Sequence, residues 1–185
     1  MKNTYFTGYF PLISILLFST SMSIAAVIYA TELLKNFGIY NGMLGIVSES
    51  EIRIALFVLF ALIFFMILSA LKLIANTVTE LTLLFFSKDS EGKTLTKIRA
   101  GSAFFLVGGA LSLLLIQFGW LIAAVFLLAS FCYFVFLVYQ TSSMLSSISL
   151  IGLVLFHLLF WIIFILGLFF LLVRLYNSFI SSLPL

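Results

Sequence analysis

Between Ser48 and Lys88 the chain runs on without a glycine or a proline. Nothing in such a stretch breaks a helix, and at ~1.5 Å per residue it reaches about 55 Å. The hydrocarbon core of a bilayer is only about 30 Å thick. Ser48-Glu-Ser-Glu51 opens the stretch as a capping box, a serine accepting from the third amide of the helix while the glutamate reaches back. Two carboxylates in that first turn also suit the positive end of the helix dipole. As an acid/base pair Glu49 and Glu51 are unconvincing, because side chains two apart diverge on a helix. The expectation is a helix from Glu49 that crosses lipid over about residues 52–74 and continues as a helical extension to 87. That excess leaves the lipid or tilts strongly to stay in it.

Composition says why lipid must be the solvent. Hydrophobic residues make up 64% of the chain and charged ones 8%, with a mean hydropathy of +1.35. A soluble domain carries about 25% charged residues. The 185 residues leave no room for membrane spans plus a separate soluble domain, so residues 1–185 read as one integral membrane domain. A net charge of +3 is too small to argue for nucleic acid. Cys132 is the only cysteine and His157 the only histidine, which excludes an intrachain disulfide, a thiolate metal cluster and any site needing two histidines from one chain.

Four further apolar runs accompany the long one. The first spans about 10–34, with Pro11 at a first helical position and a ridge of small residues, Ser19, Ser23, Ala26 and Ala30, suited to close helix packing. Ser23-Ile-Ala25 offers a small-x-small cleavage pattern, but the lead before it is thinly charged and the apolar run continues past it, which favours an uncleaved span. A loop over 35–47 is punctuated by Gly38, Gly42 and Gly45 and has no lysine at the offset a phosphate-cradling loop needs. The loop 88–97 leads into the third run, 98–116, in which Gly108 and Ser112 form a small-xxx-small pair. The fourth run, 120–140, has Trp120 and Tyr139 at its ends as an aromatic belt, and the fifth, 150–173, closes with Arg174 and Tyr176. The fold class expected is all-α, a polytopic membrane protein of five transmembrane helices. Lys88, Lys93, Lys97 and Arg99 place the 88–97 loop in the cytoplasm by the positive-inside rule. Five crossings then put the N-terminus in the cytoplasm and the C-terminus outside.

Polar chemistry is densest on the second helix. Ser69, Lys72, Asn76 and Thr79 recur on one helical face, with Glu80 beside them. Two readings stand: Lys72 snorkels to the inner headgroups while Asn76 and Glu80 sit on a wetted face, or the three line a cavity or relay within the membrane. Leu81, Leu84, Phe85 and Phe86 are expected to dock on the serine-rich 144–149 segment, on another protomer or at the lipid interface, since an apolar patch in water rarely stands unexplained. His157 lies within the fifth run, either as a relay or haem-ligand candidate or as a neutral imidazole bonded to a serine, carbonyl or neighbouring helix. Serine-nucleophile and zinc-protease motifs are absent and the acids are too few for two metals, so no catalytic, cofactor or metal residues are assigned and an enzyme is not expected.

Met1-Lys-Asn-Thr-Tyr5, Gly8-Tyr-Phe-Pro-Leu12, Leu68 to Glu80, Leu83 to Asp89 and Leu175-Tyr-Asn-Ser178 resemble the YufK family of small membrane proteins from Bacillus-type Gram-positive bacteria. The resemblance runs along the whole chain. It implies a bacterial plasma-membrane protein and supplies no active-site residues. Function is expected to be that of an accessory or assembly subunit, binding a membrane-protein partner through small-residue faces and the cytoplasmic ends of helices two and five. The alternatives are a homo-oligomeric transporter or channel using the Lys72, Asn76 and Glu80 face together with His157, and lipid handling at the inner leaflet.

Overall fold

The computed structural model describes residues 8–87 and 93–182, and all regular structure among them is helical. Residues 1–7, 88–92 and 183–185 lie outside the described residues, so Lys2 and most of the hydrophilic loop have no structural account.

Helix α1 (Phe10–Asn36) carries Pro11 in its first turn, where a missing N–H costs nothing. It stops where Gly38 takes φ 70°, a left-handed conformation that glycine adopts freely. A short helix, α2 (Ile39–Leu44), then fills what the sequence reads as plain loop. It is held by Tyr40, buried with Lys35 Nζ 5.0 Å from its ring centre.

Helix α3 (Glu49–Phe86) is unbroken over 38 residues. Both halves of its capping box form: the Glu51 amide donates to Ser48 Oγ at 3.4 Å, and the Ser48 amide donates to the Glu51 carboxylate at 2.7 Å. Arg53 pairs with Glu49 one turn on. The expected extension past residue 74 is therefore helical to Phe86.

Next come α4 (Lys93–Ile98), a 3-10 turn at Arg99–Gly101, α5 (Ser102–Ser112) and a second 3-10 turn at Leu113–Leu115. Helices α6 (Gly119–Ser142) and α7 (Ser147–Ser182) complete the chain. Four helices, α1, α3, α6 and α7, are long and apolar enough to cross a membrane. The third expected span is a shorter apolar stretch, Arg99–Leu115. Its 3-10 turns climb ~2.0 Å per residue against ~1.5 Å in α-helix, giving a rise of about 28 Å.

Helix α1 packs on α3, α5 and α6. Phe18 is buried at that junction, edge-on to Phe126 at 5.3 Å, in one cluster with Ala25, Leu68 and Ile122. Close approach depends on α5 being thin: a Cβ at Gly109 would lie 3.0 Å from Leu17 Cβ, and one at Gly108 only 3.3 Å from Ala129 Cβ. Of the small-residue positions read from the sequence, Gly108 and Ser112 meet α1 residues here. Ser19, Ser23, Gly108 and Ser112 are buried and Ala26 is half-buried. Ser21 adds a bond that spacing does not announce, its hydroxyl 2.8 Å from that of Ser112.

A second cluster, Leu83, Ile98, Leu137 and Leu153, ties the last turns of α3 to α4, α6 and α7. The Phe86 ring lies against Gly152 so closely that any side chain there would collide with it. Beyond this clasp α7 is largely exposed. From Leu158 onward no described residue is buried, and nothing lies within 4 Å of where a Cβ at Gly167 would be.

Candidate functional site

The start of α1, the later turns of α3, the start of α5 and the second half of α6 meet at one end of the bundle, around a cavity of about 240 Å³. Because α3 runs past the start of α1 without a break, its polar face reaches this junction. Lys72, Asn76, Thr79 and Glu80 all line the cavity. Ser69, one turn earlier, is half-buried and does not. Facing them are Arg99 from the 3-10 turn, Ser102 from α5 and Tyr133 from α6.

Lys72 is half-buried, with its Nζ 5.5 Å from the centre of the Tyr133 ring. The π face of that ring favours the ammonium there without neutralising it. Thr79 donates to the Ala75 carbonyl at 2.8 Å and Ser102 to the Arg99 carbonyl at 2.7 Å, so each hydroxyl keeps lone pairs for another group. Asn76 and Glu80 are exposed and hydrogen-bond neither to each other nor to Lys72, so the i, i+4 chain that the spacing allows is not formed. The single ion pair among the described residues is Arg53–Glu49, at the other end of α3. Lys72, Arg99 and Glu80 thus share one cavity without pairing.

His157 lies apart from this group. It is 5% exposed, and its Nδ1 is 3.2 Å from Thr82 Oγ1 and 3.3 Å from the Leu153 carbonyl. Thr82 spends its proton on the Val78 carbonyl at 2.6 Å, so its oxygen can only accept from the ring. The Leu153 carbonyl can only accept as well, so the geometry suits an Nδ1–H shared between two acceptors. The Phe134 ring packs against the imidazole with centroids 5.9 Å apart. Among the described residues no three of His, Cys, Asp and Glu converge as a metal site.

The apolar end of α3 docks in part. Leu83 and Phe86 pack on the early turns of α7, with Leu145 of the serine-rich segment at the edge of the same cluster. Phe85 meets the Phe156 ring at 6.1 Å and stays largely exposed, and Leu84 is 72% exposed. Sequence reasoning misses Arg99, Ser102, Tyr133 and Thr82 as partners. Arg99 reads there as an orientation signal, and no local spacing separates Tyr133 from the other aromatic residues of its helix. A second depression, about 330 Å³, lies at the far end of α1 beside Tyr29, Glu32 and Asn36.

Residues 27–184 match the model of a family described as a family of unknown function, DUF5366. Over 184 residues, covering 100% of both chains, the sequence is 56% identical to the "Uncharacterized membrane protein YufK" of Bacillus subtilis. No solved structure matches. Full-length identity at this level, with the family match over most of the chain and its long apolar helices, makes this a membrane protein that belongs to the DUF5366 family.

Proposed function

We propose that the chain is a non-enzymatic accessory or assembly subunit of the bacterial plasma membrane, and that it offers the distal part of α7 to a partner helix. The observation behind this reading is the exposure of α7 from Ile165 to Ser181, while its first turns are clasped by α3 and α6. Small residues that could have met a partner, Ser19, Ser23, Gly108 and Ser112, are buried within the bundle, Gly108 and Ser112 against α1 and α6. The clasped ends of α3 and α7 are likewise engaged with each other. Five crossings, with the cavity end in the cytoplasm beside Lys97 and Arg99, fit the positive-inside rule and the meeting of alternate helix starts and ends at that cavity.

Photo-crosslinking residues at Ile163 and Phe170 in native membranes test the reading, with Leu128 on the exposed side of α6 as the control position. A discrete adduct with one other membrane protein at both α7 positions, absent at 128, is expected. Adducts with lipid alone, or with a second copy of the chain, overturn it.

A second reading, a small oligomeric transporter or channel, draws on the unpaired Lys72, Asn76 and Glu80 around one cavity. It requires solute flux in liposomes that falls with Glu80→Gln or Lys72→Met. Unchanged flux in a folded variant removes it.

A further inference from the structure

Among the described residues, the cavity at the α1–α3–α5–α6 junction combines two cations, one carboxylate and several neutral acceptors or donors, and none of these three charges is paired. Its occupant follows from charge and size. Among the described lining residues, Lys72 and Arg99 against Glu80 leave one net positive charge. A charge half-withdrawn from water is costly unless it is met, and the Tyr133 ring gives Lys72 only partial compensation. A volume of about 240 Å³ is below the roughly 300–1,000 Å³ of pockets that enclose drug-sized ligands. It suits a headgroup rather than a whole lipid or a large solute.

We propose that this cavity binds a phosphodiester carrying an uncharged hydroxylated headgroup, with the phosphate between Lys72 and Arg99. A phosphodiester brings one negative charge and so balances the cavity. The planar guanidinium of Arg99 can meet two of its oxygens at once, and the Lys72 ammonium acts as a point charge from the other side. Glu80, Asn76 and the lone pairs of Thr79 and Ser102 then face the hydroxyl donors of the headgroup. A zwitterionic lipid with a bulky quaternary amine leaves the excess charge in place and offers those acceptors no donor. The same chemistry is found in a glycerol-type phospholipid of the leaflet and in a water-borne glycerophosphodiester. The site is independent of any partner at α7.

The test uses the full chain in neutral detergent. Retained lipid is counted by native mass spectrometry after exchange into mixed micelles of phosphatidylglycerol and phosphatidylcholine. Phosphatidylglycerol is expected to be retained about tenfold over phosphatidylcholine. Lys72→Gln and Arg99→Gln are each expected to remove the preference, whereas Lys97→Gln, an exposed cation outside the cavity, leaves it intact. Equal retention of the two lipids by the wild type, or an equal loss with Lys97→Gln, overturns the proposal. Soluble glycerophosphoglycerol at millimolar concentration separates the sources. Displacement of the lipid supports a water-borne occupant, persistence supports a leaflet one, and both support a phosphodiester site. Glu80→Gln keeps the proposal falsifiable where a cation variant fails to fold. By raising the cavity charge it is expected to shift retention severalfold from phosphatidylglycerol toward phosphatidic acid, whose phosphomonoester carries more negative charge. An unchanged ratio overturns it.

Discussion

Thr82 Oγ1 lies 3.2 Å from His157 Nδ1, so two residues that sequence reading assigns to different depths share one depth. Thr82 falls in the part of α3 expected to leave the lipid, and His157 in the expected fifth span. Phe85, one turn on from Thr82, meets Phe156, the chain neighbour of His157, at 6.1 Å. If the end of α3 lies in the headgroup region, as the proposed five-span arrangement requires, the first turns of α7 sit there too, and the crossing would fall on Leu158–Ser182. Those 25 residues rise about 37 Å, ample for the ~30 Å core.

Depth is therefore the first expected outcome. In a Cys132→Ala background, Phe85→Cys and Leu155→Cys should react with a water-soluble maleimide from the same side and at similar rates, while Ile165→Cys stays protected. Both Phe85 and Leu155 are exposed in the bundle, so protein cover does not mask the reading. Protection of position 155 beside a reactive 85 would mean that the two helices do not share a level.

Loss of the hydroxyl in Thr82→Val should destabilise the bundle by about 0.5–1.5 kcal/mol, the range of hydrogen bonds between membrane helices. His157→Phe should cost a similar amount, and the double variant less than the sum, because both remove one contact. Unfolding titrations in mixed micelles measure this coupling. Strict additivity would place the two residues in separate interactions.

Gly109→Leu should force α1 and α5 apart. Leu17 Cβ already stands 3.0 Å from the site of the first added carbon, and overpacking of this kind costs about 1–3 kcal/mol. Gly167→Leu meets nothing within 4 Å and should leave the melting temperature in detergent unchanged. Equal shifts for the two variants would contradict the packing of α5.

At the start of α3, Ser48→Ala removes the acceptor for the Glu51 amide and should cost about 1 kcal/mol, whereas Ser48→Gly costs only a few tenths. Hydrogen exchange at residues 50–53 reads the difference directly, as faster exchange in the alanine variant. An alanine variant no faster than the glycine one would mean that the cap is not formed in lipid.

What could be read in the sequence follows the range of the forces involved. The capping box at Ser48 and the unbroken run to Phe86 depend on neighbours within a few residues, and both stand in the structure. So does the shared face of Lys72, Asn76 and Thr79, a matter of helical period. The other wall of the cavity is different. Arg99, Ser102 and Tyr133 arrive from two other segments, and their meeting depends on how thin Gly108 and Gly109 leave α5 and on the close approach of Tyr133 to Gly101 in the turn before it. The same holds for the depth of His157, which is set by a partner 75 positions away. The short helix at Ile39–Leu44 shows the converse, a loop composition overridden by the burial of one tyrosine.

The serines of α1 have a bearing on how the protein is made. Ser14 donates to the Phe10 carbonyl, Ser19 to Leu16 and Ser21 to Phe18, so each hydroxyl brings its own acceptor along. A helix translated before α5 can then enter the bilayer with these three serine hydroxyls already satisfied. The Ser21–Ser112 link forms only after α5 has been translated. For these serines insertion and assembly are thereby uncoupled, and α1 can serve as a template for the helices translated after it.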